Sequence, residues 1–467
     1  MGTEPDLLAA GIARIREEQH VPAGFPDDVL AAAAAVQPVV SGEGRSDERD
    51  LPLVTLDPPG SMDLDQAFAL EPKGDGWTVW YAIADVGAAV APGGPIDVEA
   101  RKRGLTLYLP DGRAPLHPPS LSEGSVSLLP GQDRGTVLWR IEVDGTGRIT
   151  SGRGRRAVVR SRAQLDYPSA QAALDAGSLA ADDPIVRLRA VGSLLRDAER
   201  ARGGVSLPLP EQQVEDGKLA WRVPLAVEDW NAQLSLLCGR AAANLMLQGG
   251  VGVLRTMPPA DSRTIERLQR AARALGVAWP GSYPEFVRSL DPATPAGAAL
   301  LHQSARAMRG AGYVAFGGAD GAAPPVGDAA RHSAVAAPYA HVTAPLRRLV
   351  DRFGAEAALA IATQVDVPAW VTEALPSLPA IMTETGRRES DVSHAVLDLA
   401  EAVVLGGRVG DVLEAVVVGV DERGSELQLL DPPIAARTKA QLTLGASVPV
   451  KVAAADPVAR RIELLPA

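Results

Sequence analysis

Apolar residues recur at helical spacing over Asp6–Glu18 and Pro26–Val36, which predicts two short helices with a brief connection. The polar stretch Ser41–Arg49 follows as a linker. Such a pair suits either a helix-turn-helix or a docking arm, and the pattern alone does not choose. From about residue 50 to 162 strand signals dominate. Trp77–Val86 is rich in aromatic and β-branched residues, and Val137–Val143 runs through Asp144-Gly145-Thr146-Gly147 into Arg148–Gly152 as a hairpin. Residues 164–202 turn helical. Val205–Pro210 and Trp221–Val223 flank a second expected hairpin, with its turn near Asp216-Gly217-Lys218.

Helical periodicity then takes over at Asp229–Gln248, Ser262–Leu275 and Pro295–Arg309, with a strand expected at Val251–Thr256. Gly310–Ala330 is Gly/Ala-rich and reads as a loop, and Pro345–Ala362 and Pro368–Leu405 read as helices. Past Gly406-Gly407 the chain changes to short alternating strands: Val412–Val420, Glu426–Leu430, Ala446–Val452 and Arg460–Leu464. A module of this size built from short strands predicts a small five-stranded OB-like barrel. The fold class expected is α+β, divided as a helical segment at 1–48, a mixed domain of helices and strands at 49–405 and the barrel at 406–467.

Composition narrows the class without naming it. At 467 residues, two to four domains are expected. The start, MGTEPDLLAAGIARIREEQ, interrupts any apolar run with charge and is not a secretory signal. No stretch approaches the length of a membrane span. The single cysteine, Cys238, rules out an internal disulfide framework and any CxxC metal site, and it sits in a helical pattern as a small buried hydrophobe. A cytoplasmic enzyme without membrane association, working as a monomer, is the expectation. The net charge of −11 does not advertise nucleic-acid binding. Clefts decide that question more than totals do. Only five lysines (73, 102, 218, 439 and 451) accompany the many arginines, so one arginine-rich stretch carries little information.

The candidate chemistry begins at Asp57-Pro58-Pro59-Gly60-Ser61-Met62-Asp63-Leu64-Asp65-Gln66. Three carboxylates and an amide within ten residues repel one another unless something positive sits among them. Hard divalent cations prefer such oxygens and bridge to phosphate, which points to phosphoryl transfer. Pro-Pro-Gly-Ser is also turn chemistry, so a solvated acidic turn is the competing reading.

The neighbours change the balance. LPLVTLDPPGSMDLDQAFAL, followed by YAIADVGAAVAPGGPIDVEARKRGLTLYLPDGRAPLHPPSLSEGSVSLLPGQDR, resembles the catalytic (RNB) domain of the ribonuclease II family. A second block, RHSAVAAPYAHVTAPLRRLVDR at 331–352, resembles that family's second signature, in the family's order and approximate spacing. The resemblance covers roughly residues 22–400, and the terminal barrel resembles the RNA-binding module that ends these enzymes. It implies a magnesium-dependent exonuclease that hydrolyses single-stranded RNA from its 3′ end to nucleoside 5′-monophosphates. Asp57, Asp63 and Asp65 match the first three carboxylates of the family's magnesium site. The fourth position, usually aspartate, is Gln66, whose amide can ligate but contributes no charge and cannot act as a base. That substitution keeps alive a catalytically weakened RNA-binding protein as the alternative.

By the same resemblance, Tyr108 matches a tyrosine that packs on the 3′-terminal nucleotide, a stacking role that suits any base; a core tyrosine is the alternative. Arg347 matches the arginine at the scissile phosphate, where a planar guanidinium holds oxygens in pairs. Arg348 beside it is expected on backbone phosphates or in a structural ion pair. Gln233 falls where the family has a glutamate lining the nucleotide pocket, and the family's following asparagine appears as Gly239. Gly203–Glu211 resembles a family stretch but lacks its aromatic residue, so no partner for Tyr108 is evident there. The six histidines (20, 117, 302, 332, 341 and 394) show no zinc spacing, and structural roles are expected for His332 and His341. Arg153–Arg162 reads equally as a channel lining or a solvated strand face. Fewer than fifty residues precede the catalytic domain, too few for the cold-shock barrels of the family's longer members, which implies a less enclosed RNA entrance.

Overall fold

A computed structural model describes residues 4–42, 44–205, 211–215, 218–222, 224–292, 294–429, 431–432 and 434–467. The chain starts with helices α1 (Glu4–Glu18) and α2 (Asp27–Ala35), then strands β1 (Ser46–Asp47), β2 (Val54–Asp57), β3 (Gln66–Lys73) and β4 (Gly76–Ala84). Helices α3 (Val86–Ala89) and α4 (Pro95–Arg103) lead to a small hairpin, β5 (Leu107–Leu109) and β6 (Gly112–Ala114). A π-helical turn at Leu121–Ser125 precedes β7 (Asp133–Val143), β8 (Ile149–Arg160) and β9 (Ala163–Asp166).

These strands form one seven-stranded sheet in the order β1-β8-β7-β4-β3-β2-β9. Its period of two sorts side chains by size. Phe68, Leu70, Val79, Tyr81, Ile83 and Trp139 enter the larger core on one face. Ala67, Ala69, Ala82 and Ala84 face the other side, where small residues let α2 and α4 pack close.

Helices α5 (Tyr167–Asp175), α6 (Pro184–Ala201) and α7 (Ala226–Gly249) follow, with the hairpin β10 (Glu211–Glu215) and β11 (Lys218–Arg222) before α7. Next come β12 (Gly252–Thr256), α8 (Ser262–Ala274), α9 (Tyr283–Ser289), α10 (Pro295–Ala307) and β13 (Gly312–Phe316). Helices α11 (Leu349–Ala362), α12 (Ala369–Ala374) and α13 (Leu378–Gly406) complete the catalytic body. The terminal barrel is β14 (Val412–Asp421), β15 (Gly424–Leu429), β16 (Ala435–Thr438), β17 (Ser447–Asp456) and β18 (Arg461–Pro466), in the order β16-β15-β14-β17-β18. The first and last strands of that order also approach each other, so the barrel nearly closes. Among the described residues, no helix is long and apolar enough to cross a membrane.

Several expectations change. Gly310–Ala330 is not all loop, because β13 pairs antiparallel with β12, from Gly252 opposite Phe316 to Thr256 opposite Gly312. A segment without its own period gains its strand from a partner sixty residues away. Likewise β16 and β9 are too short to signal alone and exist by pairing with β15 and β2. The helix expected from Pro345 begins at Leu349, because Asp351 Oδ1 accepts the Ala344 N–H at 2.7 Å and the residues between form a turn. Pro368–Leu405 divides into α12 and α13 at a 3₁₀ turn over Leu375–Ser377. Of the second hairpin, residues 206–210, the turn at 216–217 and residue 223 lie outside the described residues; the pairing seen is Glu211–Glu215 with Lys218–Arg222.

The two N-terminal helices pack on different partners. α1 buries Leu8, Ile12 and Ile15 against α13 and the β5–β6 hairpin, whereas α2 buries Val29 and Ala33 under the sheet. The two helices thus contribute to separate apolar clusters. The linker after them holds Arg45, whose guanidinium donates to buried Asp85 at 2.6 Å. Three arginines of the basic run are engaged by acids: Arg155 pairs with Glu48, Arg156 with Asp85 and Glu356, and Arg160 with Asp133.

Two positions give direct tests of this packing. Gly239, on α7, lies against the chain at Tyr339-Ala340, and its carbonyl accepts the Ala340 N–H at 3.1 Å. A Cβ there would come within 2.5 Å of the Ala340 carbonyl oxygen. Gly239→Ala is therefore expected to lose about 1–3 kcal/mol from overpacking, more than the helix-propensity gain returns, as read by chemical denaturation. His117 is 2% exposed and donates to the Pro345 carbonyl. Burial, reinforced by Arg352, pushes its pKa down to about 3. The folded protein thus keeps His117 neutral while the unfolded chain protonates below about 6.5, so stability falls as pH drops through that range. Wild type should lose about 2 kcal/mol relative to His117→Gln between pH 7 and pH 5. Parallel pH profiles for the two proteins would refute it.

Candidate active site

Strand β2 ends at Asp57 and β3 starts at Gln66, so the acidic residues sit at the mouth of the sheet and in the loop joining these strands. The loop is pinned from behind. Ser127 Oγ accepts the Leu64 N–H at 3.0 Å and donates to the Met62 carbonyl at 2.6 Å. Buried Leu64 anchors the loop between Asp63 and Asp65, which turn toward the cleft.

The turn at Ala344–Arg348 supplies the opposite wall. Its backbone is fixed by Thr106 N–H to the Arg347 carbonyl (2.9 Å) and by Leu349 N–H to the Gly104 carbonyl (2.9 Å). Asp65, 4% exposed, accepts the Leu346 N–H on Oδ1 at 2.8 Å, and its Oδ2 lies 3.7 Å from Arg347 Nε. The two sequence blocks therefore meet at one residue pair. Arg348 turns the other way and grips fully buried Asp351 through Nε (2.8 Å) and Nη2 (2.7 Å), the structural ion pair that was one of its two expected roles.

The β5–β6 hairpin forms the rim. Tyr108 and Arg113 are paired across it. Tyr108 is 53% exposed, so its ring is not a core residue. Arg113 donates to Asp63 Oδ1 and to Glu123 Oε1, each at 2.6 Å. Helix α7 closes the remaining side, but not through Gln233. That residue is buried and donates to Glu199 Oε2 at 2.6 Å, and it does not line the cleft. Its neighbours Asn231, Ala232, Ser235 and Leu236 do so instead. Asn231 Nδ2 donates to the Leu56 carbonyl (3.2 Å) and the Tyr167 hydroxyl (3.1 Å), joining helix to strand beside Asp57. Glycine at 239 has its physical reason here, since the chain at Tyr339-Ala340 occupies the space a side chain would need. The cleft enclosed has a volume of about 810 Å³.

Electrostatics marks the carboxylates as short of positive charge. Asp57 is pushed up to about 7, first by burial and then by Asp63, with Arg347 opposing. Asp65 is held well above the usual carboxylate range, again by burial first, against the pull of Arg347 and the Leu346 N–H. Asp57 Oδ2 is buried without a hydrogen-bond partner. An orphaned anionic oxygen beside two more carboxylates is the donor chemistry that a hard divalent cation fits. Asp57, Asp63 and Asp65 would hold it. Among the described residues no three acidic, imidazole or thiol groups already converge on a point, because Arg113 holds Asp63 and the Leu346 N–H holds Asp65. Gln66 is engaged too: its Oε1 accepts the Tyr81 hydroxyl, so the amide that replaces the family's fourth carboxylate serves the sheet.

Asp57, Asp63, Asp65, Gln66, Tyr108 and Arg347 are thus brought into one cleft, Arg348 borders it, and Gln233 is left out. Arg113, Glu123, Asn231 and Tyr167 were not anticipated. The sole signal for Arg113 was its place five residues after Tyr108 in a turn sequence, which puts both on one short hairpin.

Comparison with known proteins identifies the family. A family model described as the RNB domain matches residues 45–354, more than half of the chain, and one described as the RNase II-type exonuclease C-terminal S1 domain matches residues 411–467. The chain is similar to Ribonuclease R of Escherichia coli (37% identical over 201 residues, 42% of this chain and 24% of that protein). It is also similar to Ribonuclease R of Vibrio parahaemolyticus (27% identical over 480 residues, 92% of this chain and 55% of that protein). It therefore spans less than two thirds of the length of either. Its fold matches the structure of Mycoplasma genitalium RNase R in complex with ribose methylated single-stranded RNA, with a TM-score of 0.88 and 18% identity over 99% of this chain and 78% of that one. With its acidic loop, arginine turn and terminal barrel in this order, the chain belongs to the RNB-domain family and ends in an RNase II-type S1 domain.

Proposed function

We propose that this chain is a hydrolytic 3′-to-5′ exoribonuclease, dependent on magnesium, that degrades single-stranded RNA to nucleoside 5′-monophosphates in the cytoplasm. The observation that carries this reading is the meeting of Asp65 with the Leu346-Arg347 turn beside Asp57 and Asp63. Membership of a family whose similar proteins are named Ribonuclease R supports it.

Each side chain has work that its setting allows. Tyr108, half-exposed on the rim, offers a flat face to a terminal base of any identity. Arg347, 42% exposed, is free to leave Asp65 for phosphate oxygens and to offset the charge that develops on them. Asp65, fixed through Oδ1, holds its Oδ2 toward the cleft, where it can receive a proton from attacking water. A divalent cation held by Asp57, Asp63 and Asp65 would lower the pKa of a bound water and offset charge on the phosphate. The cleft walls hold the scissile linkage against these groups.

A second reading, a catalytically weakened RNA-binding protein, rests on Gln66, which contributes no charge and whose amide oxygen is committed to Tyr81. End-labelled single-stranded RNA separates the two. The exoribonuclease reading expects mononucleotides with Mg²⁺, none with chelator, and none from DNA; RNA retention without cleavage would favour the second. Asp65→Asn can still accept the Leu346 N–H, and it should lower turnover at least 10²-fold with RNA affinity within about threefold of wild type. Equal loss of both would refute a catalytic role for Asp65.

A further inference from the structure

Arg113 is not among the groups that the reaction above uses, yet it occupies a carboxylate that the cation would need. Its guanidinium is forked between two acids, with Nη1 on Asp63 and Nη2 on Glu123, each at 2.6 Å. The side chains are partly enclosed: 27% exposed for Arg113, 13% for Asp63 and 27% for Glu123. Asp63 belongs to the acidic cluster and raises Asp57 through its charge. Glu123 does not line the cleft; it stands on the π-helical turn Leu121–Ser125 behind the acidic loop.

Both ends of the fork are rigidly mounted. The acidic loop is tied to Ser127, and the Gly124 carbonyl accepts from Arg134 Nη2 at 3.0 Å. Arg113 itself projects from the two-stranded hairpin that carries Tyr108. The long Arg113 side chain has more rotamer freedom than either acid, so its guanidinium is the part able to swing between them. A divalent cation and a guanidinium repel each other, and both seek the Asp63 carboxylate.

We propose that Arg113 is a built-in counter-cation that competes with the divalent metal for Asp63, and that Glu123 is the partner which retains Arg113 when the metal takes Asp63. Arg113 is therefore a positioning residue for metal occupancy. This rests on the metal-site reading given above. The device suits a cluster that has lost one negative charge at Gln66: Arg113 balances part of the remaining charge before the cation arrives. It also links the cation to the rim, since release of Asp63 unfastens the Tyr108 hairpin from the acidic loop.

The test is Mn²⁺ binding to the RNA-free, full-length protein, followed by electron paramagnetic resonance of free Mn²⁺ at fixed pH and low salt. Arg113→Ala should bind Mn²⁺ about tenfold or more tightly than wild type. Glu123→Gln, whose amide oxygen can still accept from Arg113 but no longer carries the charge that retains it, should bind it severalfold more weakly. A simple structural clip predicts weakening in both variants, so the opposite signs are diagnostic. Unchanged or weaker affinity in Arg113→Ala, with thermal unfolding showing it folded, overturns the proposal. If Arg113→Ala does not fold, an unchanged or tighter Kd in Glu123→Gln overturns it instead. Asp57→Ala is the control for the parent reading: if it leaves Mn²⁺ affinity unaltered, the metal is bound elsewhere and the metal-site reading fails, whatever Arg113 does.

Discussion

Asp65 accepts the Leu346 backbone N–H across 281 residues of sequence, and the geometry of the cleft depends on this hydrogen bond. A carboxylate that is 4% exposed has surrendered most of its hydration, and one peptide N–H with an arginine at 3.7 Å does not replace it. The result is a carboxyl whose proton affinity is raised by burial despite both partners. Such a group is held in place by the fold rather than by its own stability. It is stabilised fully only when more positive charge enters the cleft.

Buried acids facing arginines recur around the sheet, some of them across the two halves of the sequence. Arg352 donates to Asp97 at 2.5 Å and to the Val90 carbonyl at 2.6 Å, joining α11 to the start of α4 and the loop before it. Arg45 and Arg156 both reach Asp85, and Arg156 also reaches Glu356 on α11. Buried pairs of this kind gain little net stability over apolar packing, but breaking one leaves a charge stranded. They therefore fix how α11, and the arginine turn before it, seats against the sheet.

The rim is held by different means. The hairpin bearing Tyr108 and Arg113 buries Leu107, Leu109 and Ala114 against Ile12 and Ile15 of α1 and Val392, Val396 and Leu399 of α13. Asp111, in its turn, accepts two bonds from Arg16 at 2.8 and 2.9 Å. Helix α1 also reaches the barrel, where Arg14 donates to the Val458 carbonyl and Arg460 pairs with Glu18. Each polar contact is solvent-exposed and worth little alone. The apolar face of α1 is what makes the N-terminal arm part of the cleft's support.

Much of this protein was legible in its residues. The alternation in Trp77–Val86, the helical runs and the short strands past Gly406 are local patterns, and local periodicity survives without tertiary context. The acidic cluster and the arginine block were legible because their residue types and order are specific. What the sequence could not settle were contacts between distant segments. Nothing local says that Gln233 turns to Glu199 while Asn231 faces the cleft; residues two apart lie on opposite sides of one helical turn, and only the packing of α7 decides which side is inside. Nothing in Gly112-Arg113 announces a counter-cation for Asp63, fifty residues earlier. Strands β9, β13 and β16 exist only through their partners, and the turn at Arg347 forms only because Asp351, Gly104 and Thr106 take up its backbone. The sequence determined which chemical groups are present and the elements that carry them. Tertiary structure decided which of them meet, because a buried charge or an unpaired backbone group must find its partner wherever the fold brings one within reach.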